Sequence, residues 1–125
     1  MMGDGMEQRQ SILERTKAFA LRIIRLYSSL PKTTIAQVLG RQVLRSGTSV
    51  GAHVWEGRRS RSRAEMISKA EGALQELEET IYWLELLVES GTVKAERLGD
   101  LLKESDELAA ILVVSVKTLK AHIAK

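Results

Sequence analysis

Four stretches of this chain repeat their apolar residues at steps of three and four, the spacing that lines up one face of an α-helix. In the first, Ile12, Thr16, Phe19, Ile23, Leu26 and Leu30 alternate steps of four and three. They predict a helix from about Glu7 to Leu30, ended by Pro31 because the residue before a proline is pushed out of the α region. The third stretch has the cleanest period: Ile67, Ala70, Leu74, Leu77, Ile81, Leu84 and Val88. Ser62 and Glu65 read as its capping box and Ser90-Gly91 as its close. Glu71, Gln75, Glu78, Tyr82, Glu85 and Glu89 form a mostly acidic flank beside that core stripe. The fourth runs from about Lys94 to His122 on Leu98, Leu101, Ser105, Leu108, Leu112, Ser115 and Leu119.

The second stretch is less regular. A capping box of Thr34 and Gln37 predicts its start, and Gly57 its C′ residue. Ile35, Leu39, Val43, Val50 and Val54 fall in one arc, with Ala36, Gly40, Gly47 and Gly51 beside it. Glycine inside a helix costs roughly 1 kcal/mol against alanine. Three of them need an offset, and the simplest is close approach by a neighbouring helix along Gly40, Gly47 and Gly51, with ligand approach as the alternative.

Four helices joined by short links predict an all-α, antiparallel up-down-up-down four-helix bundle. Residues 1–6 read as a flexible tail and 7–125 as one bundle domain. Between Leu108 and Val116 the last helix is apolar nearly all round, so it is expected to be covered on more than one side. A subunit interface at Ala110, Ile111 and Val114 would do this; a helix merely rich in aliphatics is the plainer alternative.

Composition changes the picture little until charge is mapped. Hydrophobic residues make up 44% of the 125 and charged residues 28%, an ordinary soluble balance. There is no cysteine, hence no disulfide framework, which fits a reducing compartment. Met1 to Gln10 has no apolar core of a secretory signal, and no apolar run approaches the roughly 20 residues of a membrane helix. The expected location is cytoplasmic, without membrane contact. The net charge of +3 hides a partition. Residues 1–63 carry twelve Lys/Arg against four Asp/Glu, and residues 64–125 carry seven against twelve. Segregated charge of this kind points to a polyanion partner or to self-assembly. Helices that neutralise one another inside a bundle would also produce it.

The residues exclude most chemistries. A di-iron bundle needs Glu-x-x-His on two helices, and the chain has only His53 and His122, with His53-x-x-Glu56 in the reverse order. No metal site and no cofactor are expected, and His53 reads as a packing or hydrogen-bonding residue. Ser49 has His53 at i+4 but no third orienting group. Glu76, Glu78 and Glu79 read as a solvated face or as halves of ion pairs. No glycine-rich loop follows a strand. The chain is therefore expected not to be an enzyme.

Arginine is what remains. Arg41 and Arg45 lie on the second helix, and Arg58, Arg59, Arg61 and Arg63 crowd the link RRSRSR. Guanidinium forks match phosphate oxygens, and clusters of them release counterions on binding. Trp55 beside the link could stack on a base, or belong to the core or an interface. The expected function is non-enzymatic binding of RNA or DNA backbone by those six arginines. The alternative is a protein-interaction module whose basic surface docks an acidic partner protein. A third reading pairs the link with the acidic flank of the third helix.

The segment LGRQVLRSGTSVGAHVWEGRRSRSRAEMISKAEGALQELEE resembles a signature of the small four-helix-bundle proteins first known from intervening sequences in bacterial 23S ribosomal RNA genes. The likeness falls on Gln42, Arg45 and Ser49, then Ala52 and Glu56-Gly57, then Arg59-Ser60, then Ala70, Gly72 and Glu76-Leu77. With Tyr27 and Pro31 it covers about Phe19 to Gly91. His53 stands where that family usually has asparagine, and Trp55 where it usually has alanine. The resemblance implies a homopentameric ring with a central channel. It also implies similarity to the accessory protein of diversity-generating retroelements, which binds nucleic acid and a reverse transcriptase.

Overall fold

In the computed structural model of the protein, which describes residues 11–124, Ser11 opens the first helix with a complete capping box. Its hydroxyl accepts from Glu14 N, and the Glu14 carboxylate accepts from Ser11 N. Helix α1 spans Ile12–Ser29, α2 Thr34–Gly57, α3 Arg63–Glu89 and α4 Ala95–Ala124. The sequence start at Glu7 and the tail 1–6 lie outside the described residues. On α1 the predicted stripe is the buried one: Thr16, Phe19, Ile23, Leu26 and Leu30.

Helix α2 departs from the expected arc. Its buried positions are Ala36, Gly40, Val43, Ser46, Gly47 and Val50, while Ile35 is 61% exposed. The glycines are thus core residues, with α1 on the space their missing side chains leave. A Cβ on Gly40 would sit 2.6 Å from Leu30 Cδ1, one on Gly47 2.8 Å from Ile23 Cγ1, and one on Gly51 3.2 Å from the Thr16 carbonyl oxygen. The cap is also one residue earlier than expected. Thr33 accepts from Ala36 N. Gln37 is spent elsewhere, donating from Nε2 to the Pro31 carbonyl at 2.8 Å and accepting from Tyr27 OH at 3.1 Å. Gly57 is the last residue of α2 rather than a left-handed C′ residue. The chain continues in αR at Arg58, so the glycine's freedom is not used there.

Helix α3 lies against both α2 and α4. A helix wedged between two neighbours buries a wide arc, so Ala73, Leu77, Thr80, Leu84 and Leu87 are buried while Leu74 and Val88 pack against them from the flank. Ser62 caps it by accepting from Glu65 N. At the other end Gly91 takes φ +76°, and the Thr92 and Val93 amides both donate to the Leu87 carbonyl. That left-handed turn needs glycine. Helix α4 buries Leu98, Leu101, Ser105, Leu108, Leu112 and Val116. No helix among the described residues is long and apolar enough to cross a membrane.

The four helices form a bundle in which each packs on its neighbours, and α1 and α4 are the neighbours that touch least. Arg15 spans that seam, donating from Nη2 to Glu104 at 2.6 Å and to Glu107 at 3.1 Å. Arg97 donates to Ser29 Oγ near its other end. Between α2 and α3 two buried hydroxyls meet: Thr80 Oγ1 is 2.8 Å from Ser46 Oγ and 2.7 Å from the Glu76 carbonyl, and Ser46 Oγ is 2.9 Å from the Gln42 carbonyl. Two protons serve three contacts, so one is shared.

Candidate nucleic-acid interface

The sequence grouped six arginines; the structure divides them. Arg41 and Arg45 lie in the first half of α2. Arg58, Arg59 and Arg61 lie beyond its end on the link to α3, and Arg63 is the first residue of α3. With a helical rise of about 1.5 Å per residue, Arg41 and Arg58 stand roughly 25 Å apart along the axis.

Their partners divide them too. Arg45 is engaged by α3, pairing through Nη1 with Glu76 at 3.3 Å and through Nη2 with Glu79. Glu79 is held in place by Trp83, whose Nε1 donates to it at 3.0 Å. Arg61 reaches Glu65 only at 3.8 Å with its side chain 91% exposed, a contact of little energetic weight in water. Arg58 lies 3.8 Å above the Trp55 ring centroid and donates from Nε to the Trp55 carbonyl at 3.2 Å. Arg41, Arg58, Arg59 and Arg63 are exposed and have no carboxylate within ion-pair distance among the described residues.

The carboxylate just before the link, Glu56, is already committed. Lys69 Nζ donates to Glu56 Oε1 at 2.8 Å. That hydrogen bond and the lysine charge hold the Glu56 carboxyl below its ordinary value, and His53 adds to the effect. Glu76 and Glu79 of α3 therefore take up Arg45, and Glu65 weakly takes up Arg61. None of these belongs to the acidic flank expected to pair with the link, and most of the link is left unneutralised.

The positions shared with the family signature turn out to face one another across α2 and α3. Arg45 meets Glu76. The His53 ring lies where a Gly72 side chain would be, 2.9 Å from an ideal Cβ. A Cβ on Gly57 would lie 3.4 Å from Lys69 Cβ, and Lys69 holds Glu56. Ser49 donates to the Arg45 carbonyl at 2.7 Å, and Gln42 lends its carbonyl to Ser46. The first three are contacts of a helix seam, and the last two lie within α2. The spacing of the motif records how two helices fit, and no reacting group is assembled by it. His53 Nδ1 is buried and has no hydrogen-bond partner. Among the described residues no group of three His, Cys, Asp or Glu could hold a metal ion.

Sequence reasoning did not find the hollow between α1 and α2. It has a volume of about 550 Å³ and is lined by Leu13, Glu14, Lys17, Ala20, Thr48, Gly51, Ala52 and Trp55. The signal was available as a small-residue run, Gly51-Ala52, one turn before an exposed tryptophan. On the outer side of α4, Ala110 is exposed, Val114 is 62% exposed and Ile111 is half-buried.

A family model described as 23S rRNA-intervening sequence protein matches residues 8–114. A crystal structure of a protein with unknown function from the S23 ribosomal protein family of Bacteroides thetaiotaomicron VPI-5482, at 1.70 Å resolution, is similar with a TM-score of 0.81 and 36% identity. That match covers 86% of this chain and 99% of the other. No curated protein matches.

Proposed function

We propose that this chain, which belongs to the 23S rRNA-intervening sequence protein family, acts as a non-enzymatic, homo-oligomeric nucleic-acid-binding protein that grips the phosphate backbone of RNA or DNA. The observation that carries this reading is the link after α2, where Arg58, Arg59 and Arg63 are exposed and unpaired with carboxylates among the described residues. Arginine left open beside an otherwise acidic half of the chain costs self-repulsion unless a polyanion relieves it. Arg61 joins the set through a loose contact that a phosphate displaces. Arg41 contributes from a distance, and Arg45 contributes least because Glu76 and Glu79 already hold it.

The arrangement that goes with this function is an antiparallel up-down-up-down bundle repeated around a ring, a pentamer by family resemblance, in the cytoplasm. The register of contacts supports the antiparallel part: Gly51, Gly47 and Gly40 meet Thr16, Ile23 and Leu30 in turn. Repetition around a ring makes modest phosphate contacts add through effective concentration.

A gel-shift titration at about 50 and 200 mM salt tests the reading. Binding is expected to fall steeply between the two. Replacing Arg58, Arg59 and Arg63 by Gln is expected to flatten the salt slope by about two to three per chain, whereas Arg45→Gln changes it little. Absence of binding to any polyanion, or a slope that ignores the triple substitution, refutes it. One observation favours a second reading. Trp55 and Met66 are exposed on either side of the link, at 54% and 40%, an apolar and basic mixture suited to an acidic protein partner such as a reverse transcriptase. A pull-down whose captured protein survives nuclease treatment selects that reading.

A further inference from the structure

Trp55 is the feature of this chain that the phosphate-backbone reading leaves unused. An exposed indole is costly in water, and this one stands where the family resemblance expects alanine. It borders two hollows. One, of about 500 Å³, is shared with Arg58, Arg59 and Lys69. The other is the groove of about 550 Å³ between α1 and α2, walled by Leu13, Ala20, Gly51 and Ala52. Arg58 covers the ring at 3.8 Å from its centroid, yet Trp55 is still 54% exposed.

We propose that Trp55 is a stacking platform for an unpaired nucleobase, which makes the ligand single-stranded nucleic acid rather than duplex. This rests on the nucleic-acid reading above and goes beyond it. An aromatic ring backed by a guanidinium is electronically suited to a planar base, and every base offers a π-face, so the contact is tolerant of sequence. The groove beside it is mostly apolar and of the size that small flat ligands occupy. In a duplex the base faces are already stacked on their neighbours, and only an unpaired nucleotide can turn one outward. Charge sets the direction of the strand. Glu14 and Lys17 offset each other in the groove, whereas Arg58, Arg59 and Lys69 outnumber Glu56 and Glu65 in the other hollow, so the groove has the weaker hold on phosphates. They run instead past Arg58 and Arg59, one turn from the indole.

The test uses the whole protein, a fluorescein-labelled oligoadenylate RNA of about twelve nucleotides, and a blunt RNA duplex of the same length, within the usual site size of a stacking groove. Wild type is expected to bind the single strand more tightly than the duplex by fluorescence anisotropy. Trp55→Ala is expected to weaken single-strand binding roughly tenfold or more and leave the duplex unchanged, while Trp55→Phe keeps it within about threefold. Because the side chain is mostly exposed, circular dichroism and native mass are expected to be those of wild type. Equal losses on both RNAs, or no loss on the single strand, overturn the stacking role. A loss that comes with a changed native mass assigns the indole to subunit contacts and overturns it as well. If wild type binds neither RNA nor the single-stranded and duplex DNAs of the same length, the function reading falls and this inference with it. If both RNAs bind wild type and Trp55→Ala alike, the function reading stands and only this inference falls.

Discussion

Gly47 and Gly99 are both glycines inside helices, and the structure sets them opposite fates. A Cβ on Gly47 would meet three atoms of Ile23 between 2.8 and 3.2 Å. Ile23 is fully buried and β-branched, so it has few rotamers with which to yield. Gly47→Ala is therefore expected to destabilise by about 1–3 kcal/mol despite its better helix propensity. Gly99 meets nothing within 4 Å, and Gly99→Ala is expected to stabilise by roughly 0.5–1 kcal/mol. Urea denaturation of the two variants checks both signs. At this scale much was legible. The cost of three glycines in one helix announced a close neighbour, and the contacts of Gly40, Gly47 and Gly51 with α1 are that neighbour. What was not legible was that the glycines lie in the core itself and leave Ile35 outside it. An arc drawn through bulky side chains cannot know that a partner helix has come close enough to bury bare backbone.

Among the helices, the seam between α1 and α4 has the least packing to lean on. Arg15 is its strongest polar contact, with side-chain exposures of 22% for the arginine and 21% for Glu104. The two carboxylates hold the guanidinium above its ordinary value, Glu104 foremost. Partial burial lets such a charge-assisted pair contribute about 1–2 kcal/mol. Arg15→Met is expected to lower stability by that amount, to couple with Glu104→Gln in a double-mutant cycle, and to raise amide exchange first along α1 and α4. The periodicity predicted the buried face of α1 and that of α4 as far as Leu112, beyond which Val116 is buried in place of Ser115 and Leu119. Neither period could say that Arg15 and Glu104, 89 positions apart in the chain, would meet, because long polar side chains carry no periodic mark.

For the molecule as a whole, the partition of charge by half was plain in the sequence, and its resolution was not. Glu76 and Glu79 of α3 take up Arg45, and Glu104 and Glu107 of α4 take up Arg15, yet the link keeps most of its arginines open. Assembly is the other property of this scale. Val114 is 62% exposed on a helix otherwise rich in aliphatics, which keeps it the candidate for the expected subunit contact. The native particle is expected to weigh a multiple of 13.9 kDa. Val114→Glu, harmless to an isolated chain at so exposed a position, is expected to lower that mass. Light scattering after size exclusion reads the result, and an unchanged mass places the subunit contact elsewhere.

The hydroxyls of Ser46 and Thr80 work as an indexing pin between two rods. Sliding α2 by one turn along α3 would keep most aliphatic contacts interchangeable, leucine for valine, but it would part the two oxygens and set each against hydrocarbon with only its own helix's carbonyl as partner. The pin adds little strength where it sits. It forbids the neighbouring notches, and so fixes how far the arginine-bearing end of α2 projects past its partner.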